Sequence, residues 1–433
     1  MSKVSNFQPL SLAYVAAATP SHWQVKILDE NFDIVTFEEA DLVGITAFTS
    51  NINRAYDIAR IYRERGIKVV MGGIHVSMLP DEALQYADSV VIGEAEGIWE
   101  QVVNDFENNR LVAKYTGPRI DLGKGNIRPR RDLLHQSYPW QSVQTSRGCP
   151  FSCSFCSVTN YLGSKFRQRC DQDVLDEIKS IKSKYIGFVD DNLIGHDAES
   201  KERVRRLFQG MIDLKLSKRW WMQTSINAAD EEELIELAAR AGCIFVLIGF
   251  ETIDKGMLKD MKKGINLKTG VENYKKVVNA FHRHGIGVLG TFIIGNDYES
   301  DAYYRKLSSF LINSGIDIFQ ITILTPLPGT ELMAQVQNAK QLIFREFPKD
   351  WEKYRFSYVV HNRLGVEAAT IYKGNNYLKN RLYSFPVYQY RLLKSLFSLR
   401  NPFNSYMAFK MNESMRKSWR EAHYYKIYRK DLK

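Results

Sequence analysis

Six short apolar runs, separated by helical stretches, constrain this chain more than any other feature. They are Val143–Ser146, Tyr185–Val189, Trp220–Ile226, Cys243–Phe250, Gly287–Ile294 and Ile318–Leu324. Helical periodicity fills the gaps at Asp171–Lys184, Lys201–Leu216, Glu231–Ala241, Leu267–His284 and Asp301–Ser314. Short runs without strict alternation read as strands buried on both faces. Strands separated by helices pair in parallel, because each crossover uses a helix's length of chain. Asp230, ahead of Glu231-Glu-Glu233, reads as a helix N-cap. The pattern predicts a partial (β/α)6 barrel of the TIM type over residues 141–340. Its chemistry belongs at the carboxyl ends of the strands.

Residues 1–115 repeat the rhythm on a smaller scale. Val25–Leu28, Leu42–Thr46, Lys68–His75 and Ser89–Gly93 read as strands, Ala55–Arg65 and Ile98–Phe106 as helices, and Gly66 as a C-cap. This predicts an α/β, Rossmann-like, doubly wound parallel sheet. Its ligands would sit beyond the strand ends, near Gly72-Gly-Ile-His75 and Gly93-Glu-Ala-Glu96. Residues 116–140 read as a linker, since Gly117-Pro118, Gly123-Lys-Gly125 and Arg128-Pro-Arg-Arg131 break periodicity. Residues 341–433 read as a helical, basic, aromatic-rich extension. Trp351–Tyr354 and Tyr358–His361 are expected to cover the barrel mouth. The later helices are expected to be a packing layer.

The chain holds five cysteines, and three of them form Cys149-x3-Cys153-x2-Cys156 just beyond the first barrel strand. Thiolates converging from one short loop suit zinc or an iron–sulfur cluster. A structural zinc site takes four protein ligands. Cys170 and Cys243 stand alone, and both read as structural residues that pack as small hydrophobes. A cubane cluster takes one thiolate per iron, so three cysteines leave one iron open.

With Phe155 before the last cysteine, the triplet resembles the signature of the radical S-adenosylmethionine (radical SAM) family. The resemblance implies a [4Fe-4S] cluster on Cys149, Cys153 and Cys156. S-adenosylmethionine would chelate the open iron, and an electron would cleave a carbon–sulfur bond, usually giving a 5′-deoxyadenosyl radical. Four strand-end motifs extend the likeness: Phe188-Val-Asp-Asp-Asn192, Ile248-Gly-Phe-Glu-Thr252, Thr291 to Glu299, and Ile323 to Thr330. By resemblance, Asp190 or Asp191, supported by Asn192, binds the amino group of S-adenosylmethionine. Glu251 faces its ribose hydroxyls or amino acid end. Gly295 lets backbone approach the adenine, Glu299 caps the next helix, and backbone near Leu324 meets the adenine. Gln223 and Ser225 are polar groups in an apolar strand, and one is expected to point into the barrel. No acid or base is assigned.

The first half resembles the cobalamin-binding domain often fused ahead of a radical SAM domain. The matching pieces are Asp41–Thr46, Gly72–His75 with Pro80–Leu84, and Val91–Glu96. The D-x-H-x-x-G motif, whose histidine ligates cobalt in some cobalamin proteins, is absent. His75 is therefore expected to be a hydrogen-bonded turn residue. Relatives begin with a strand and loop that hold the corrinoid, and Met1 to Pro9 is too short and polar to supply them. The expectation is an incomplete pocket in a domain serving as scaffold or substrate wall, with cobalamin left open as a cofactor.

Hydrophobic content of 45% is ordinary for a soluble protein. No apolar run reaches bilayer-spanning length and the N-terminus lacks a signal peptide's apolar stretch, so the expected location is cytoplasmic. The formal charge is +10, and residues 391–433 carry eleven Lys/Arg against three Asp/Glu. No nucleic-acid motif accompanies them. The basic stretch therefore reads as a solvated helical face, or a dock for an electron donor such as a reductase or flavodoxin-type protein. The main functional expectation is group transfer or bond formation on a small organic or natural-product substrate. The group includes the aminocarboxypropyl arm of S-adenosylmethionine. The alternatives are cobalamin-dependent C-methylation and a non-catalytic metal-binding role.

Overall fold

The computed structural model describes residues 7–124 and 128–421, with side chains through residue 417. The last part of the basic stretch, residues 422–433, lies outside the described residues, as do residues 1–6 of the N-terminal expectation.

Four parallel strands make the first sheet: β1 Leu42–Thr46, β2 Lys68–Gly72, β3 Ser89–Gly93 and β4 Lys114–Gly117. Their spatial order follows the chain, so the order reversal that usually marks two-sided winding is not among them. Helices nevertheless cover both faces. Tyr56, Ala59 and Tyr62 of the helix Ile52–Arg63 pack on Val69, Met71 and Val90. Trp99, Val102 and Val103 of the helix Trp99–Glu107 pack on Val70, Val91 and Tyr115. The period of two along each strand sends alternate residues to the two helical layers.

Two expectations change here. Val25–Leu28 is not a strand; this half-buried run lies along a cavity wall instead. The expected boundary at residue 115 falls inside β4, whose short polar sequence hides a strand with Tyr115 as its buried residue.

The second sheet has six parallel strands in the order β12-β11-β10-β9-β8-β5. They are β5 Gln141–Val143, β8 Tyr185–Phe188, β9 Arg219–Thr224, β10 Cys243–Glu251, β11 Gly287–Ile294 and β12 Ile318–Ile323. A two-stranded ribbon, β6 Ser146–Arg147 with β7 Arg167–Gln168, brackets the cysteine loop. Among the described residues β5 and β12 do not pair, so the barrel is open. Met222, Val246, Ile248, Val288 and Phe292 face the helices in the main core. The helix expected at Leu267–His284 is broken by Gly270 (φ 81°) into Gly264–Thr269 and Tyr274–His282. Asp230 does not cap; it ends a 3-10 turn, Ile226–Asp230, and Glu231 occupies the cap position of Glu232–Arg240. Asp197 is a true cap, accepting from Ser200 N at 2.7 Å.

The extension closes the open structure. Met407, Ala408 and Met411 pack against Ile244, Leu289 and Ile318, near the starts of β10–β12. Buried Asp317 accepts from Val288 N (2.7 Å) and His282 Nε2 (2.9 Å), and from the Ser395 hydroxyl of the helix Val387–Leu399. Trp351 reaches back to the first sheet, donating from Nε1 to Glu82 at 2.9 Å.

Trp220 illustrates how the barrel wall is held. It is fully buried, packs edge-on to Phe188, and donates to Ala241 O at 2.9 Å. Trp220→Ala removes the ring and leaves that carbonyl unpaired. We expect a loss of about 3–5 kcal/mol, read as a lowered urea midpoint with an unchanged m-value.

Candidate active site

The cysteine loop leaves β6 through Gly148, whose φ is 93°. A Cβ there would meet Lys165 O at 2.2 Å, so only glycine fits. The loop is pinned on both sides. Cys149 N donates to Gly163 O (3.1 Å), Ser154 N to Met261 O (3.1 Å), and Leu332 N to Ser154 O (2.8 Å). Phe155 rests on a cushion that includes Met261, Ile293, Leu324 and Leu332. A loop fixed by backbone bonds presents its side chains before any ligand arrives, which lowers the ordering cost of binding.

All three thiols are half-buried, and burial pushes each pKa up, that of Cys156 to about 12. The half-buried Lys263 pulls all three the other way. Such thiols ionise when a metal displaces their protons. Among the described residues no three His, Cys, Asp or Glu side chains are placed to share one metal ion. A cubane asks something different, a separate iron for each thiolate. Three thiols on one fixed loop, beside the Lys263 ammonium, fit that demand.

Lys263 has no distinguishing mark in the sequence. Its neighbour Lys262 is exposed and pairs with Glu331 at 2.7 Å. Lys263 turns inward to Glu251 Oε1 at 2.7 Å and lies 5.8 Å from the centre of the Phe155 ring. Glu251 ends β10 with a φ of 63°, where the register slips against β11. The bulge swings its buried carboxylate toward the cysteine loop.

The two adjacent aspartates after β8 have opposite fates. Asp190 is buried and saturated: it accepts from Thr145 N (3.0 Å), Thr145 Oγ1 (2.9 Å) and the Ser146 hydroxyl. Burial raises its pKa, against the pull of Ser146, Arg203 and Thr145. It clamps the end of β5 to β8. Asp191 opens onto the cavity and interacts electrostatically with Cys149 and Cys156. Desolvation and then the like charge of Asp190 raise its pKa from 3.8 to about 6. A raised carboxyl favours the fold when protonated. That contribution is full below about pH 4 and is lost as pH rises through 6. The protein keeps a carboxylate whose ionisation costs stability, as functional sites do.

Asn192 is a brace, its Oδ1 accepting from Thr224 Oγ1 (3.1 Å) and Ser225 N (3.2 Å). Gln223 alternates with Met222 and Thr224, so its side chain faces the barrel interior, and Ser225 lies on the same side. Gly295 has a φ of 85°, and its missing Cβ faces Ile323 and Ile371 rather than the mouth. Glu299 does not cap the next helix; Ser300 does. Glu299 instead accepts from Gly295 N (2.9 Å), Asn296 N (3.1 Å) and Tyr304 OH (2.6 Å). Leu324 N bonds Ile294 O at 2.8 Å, so it continues the sheet. Cys243 is buried in the core as expected, but Cys170 is exposed at a helix start.

Between the two sheets lies a cavity of about 1900 Å³. Its walls include Thr46 and Gly73 from the first sheet, Val189 and Asp191 from β8's end, and Tyr354 from the extension. At Gly73 (φ 95°) a Cβ would meet Thr46 Oγ1 at 2.5 Å, so the turn stays bare at the wall. His75 is satisfied as expected. Its ring nitrogens contact Thr49 Oγ1 (3.1 Å) and Glu82 Oε1 (3.3 Å), and Trp351 packs edge-on against it.

Two family descriptions match the chain: a B12 binding domain over residues 4–103 and the Radical SAM superfamily over residues 143–311. The chain is 32% identical over 364 residues to bacteriochlorophyllide d C-12(1)-methyltransferase of Chlorobaculum tepidum, covering 80% of this chain and 76% of that one. This is a radical SAM enzyme with a B12-binding domain. Its fold matches the radical S-adenosylmethionine methyltransferase TsrM from Kitasatospora setae, solved with cobalamin and a [4Fe-4S] cluster bound. There the TM-score is 0.61 at 16% identity, over 84% of this chain and 88% of that one. It also matches the cobalamin-dependent radical enzyme OxsB, at TM-score 0.58 and 15% identity, over 87% of this chain and 63% of that one. The radical SAM enzyme takes a [4Fe-4S] cluster and S-adenosylmethionine, as its family does. The B12 domain match spans residues 4–103, and a large cavity lies beside the strand ends of that domain.

The contrast between the aspartates is testable. Asp190→Asn should cost about 3 kcal/mol in thermal unfolding, since it breaks a buried charged network around Arg203. Asp191→Asn should raise stability at neutral pH, because it removes the cost of ionising a desolvated carboxyl, and should weaken S-adenosylmethionine binding about tenfold. Wild-type affinity should fall as pH drops from 7 to 5, and the Asp191→Asn protein should lack that dependence. Equilibrium binding to reconstituted enzyme checks both.

Proposed function

We propose that this radical SAM enzyme is a cobalamin-dependent C-methyltransferase acting on a small organic substrate held between its two sheets. The carrying observation is the cavity of about 1900 Å³. Small-molecule pockets usually measure about 300–1,000 Å³, so this space suits a large cofactor together with a substrate. The relative at 32% identity, named as a methyltransferase of bacteriochlorophyllide d, supports the same reading. Transfer of the aminocarboxypropyl arm is supported by neither the B12 domain nor that relative, so methylation replaces it.

When bound, the cluster supplies the electron that cleaves S-adenosylmethionine, and the corrinoid relays the methyl group. The chain's own residues prepare the site. Cys149, Cys153 and Cys156 would hold three irons. Asp191 would take the ammonium of S-adenosylmethionine, a charge-assisted contact that favours its ionised form. Lys263 offsets negative charge at the thiolates and pairs with Glu251 at 2.7 Å. Asp190, Asn192 and Glu299 hold the strand ends rigid. Gln223 and Ser225 offer polar contacts from the barrel interior. His75 is engaged by Thr49 and Glu82, so it is not among the residues that would hold the corrinoid. A flavodoxin-type reductant would deliver the electron in the cytoplasm.

The test starts from protein produced with cobalamin and purified without oxygen. Stoichiometric corrinoid and iron are expected, and Cys153→Ala should lose the iron while keeping the corrinoid. Reduction with S-adenosylmethionine present should release 5′-deoxyadenosine. Release of 5′-methylthioadenosine from corrinoid-free enzyme would overturn methylation in favour of aminocarboxypropyl transfer.

A further inference from the structure

We infer that the outward faces of the helices Val387–Leu399 and Pro402–Glu421 form a docking surface for an anionic lipid bilayer. This surface is separate from the active site and does not rest on the reaction proposed above.

In Val387–Leu399 the residues Tyr388, Arg391, Ser395 and Leu399 are buried. The opposite stripe exposes Tyr390, Leu393, Leu396 and Phe397, and Phe397 is 74% exposed. Phe385, in the preceding turn, is 81% exposed. The next helix buries Asn404, Ala408 and Asn412 and exposes Tyr406 and Phe409 beside Lys410 and Lys417. The helices are tied side by side: Tyr388 OH donates to Glu413 at 2.7 Å, and Arg391 to Asn412 Oδ1 at 3.2 Å. A helix with leucine and aromatic side chains on its outer face normally buries that face.

Charge identifies the occupant. Residues 391–417, whose side chains are described, carry six Lys/Arg against one Asp/Glu, and Arg400, Lys410 and Lys417 are exposed. Lys394 and Lys410 lie 5.9 Å from the Tyr390 and Tyr406 rings, so cations border the aromatic stripes. A second copy would bring the same positive stretch against itself. A nucleic acid would match the charge but leave Leu393, Leu396 and Phe397 unburied. An anionic bilayer answers both, with acyl chains for the apolar stripe and headgroups for the cations. No described helix is long and apolar enough to cross a membrane, so the contact would lie in the interface plane. The inner face of Pro402–Glu421 covers the starts of β10–β12, while the cysteine loop lies at the strands' far ends.

The test is flotation of the cluster-loaded full chain with vesicles of phosphatidylcholine, alone or with added phosphatidylglycerol. Binding should be at least about tenfold stronger to the anionic vesicles and should weaken with salt. Leu393→Ser with Phe397→Ser, and separately Lys410→Glu with Lys417→Glu, should each reduce binding about tenfold or more. Both double variants change solvent-facing side chains, so melting temperature and iron content should match wild type. Failure to float with anionic vesicles, or equal flotation by the variants, would overturn the inference. So would a lipid-free dimer that Leu393→Ser with Phe397→Ser splits, which would assign the stripe to a second copy.

Discussion

The buried carboxylate of Glu94 joins the two halves of the molecule. It follows β3 of the first sheet, and it accepts from Arg147 at 3.2 Å and from Arg167 on both sides of the cysteine loop. Glu96 adds a second partner for Arg147. Glu94 and Arg147 are almost fully buried. A buried charge persists only where pairing offsets its desolvation, and removing one partner strands the others. The network is weak evidence for stability and good evidence for geometry. Arg147 is two residues from Cys149, so the first sheet helps fix where the cysteine loop stands.

This explains why the strand-end rule worked in outline and failed in detail. Gly93-Glu-Ala-Glu96 sits at a strand end, where a ligand contact is expected. Its carboxylates instead hold the other domain, and that cannot be read without knowing that Arg147 lies across the gap. The six barrel strands were legible because their apolar runs are bounded by turns, and Cys149-x3-Cys153-x2-Cys156 was legible because its spacing is local. β4 was not legible, since Lys114–Gly117 is short and gains its place from pairing with β3. The broken helix at Gly270 follows from a local glycine, yet the surrounding apolar periodicity conceals it.

The residues that sequence could not sort are adjacent pairs of the same type. Asp190 and Asp191 share their neighbours in the chain. One sits under Thr145 and Ser146 as a clamp, while the other opens to the cavity. Lys262 and Lys263 repeat the pattern, one pairing with Glu331 at the surface and the other facing the thiols. A strand end or tight turn sends consecutive side chains in opposite directions, so a motif names the pair and the fold chooses the member. The same sorting separates Glu299 from its expected capping role. Its carboxylate turns back to the amides of Gly295 and Asn296, and Ser300 takes the cap.

The two choices are coupled by electrostatics. The raised pKa of Asp191 follows from desolvation and from Asp190, a like charge held close by the clamp. Lys263, half-buried and paired with Glu251, works in the opposite sense on the thiols. The site therefore has a reluctant anion near the loop and a fixed cation against it. On the proposed roles, an ammonium beside Asp191 would favour the carboxylate's ionised form, and a cluster on the three thiolates would give Lys263 more negative charge to face. On those roles each ligand would offset a charge that the fold places in the site, so part of the binding energy would go into settling those charges.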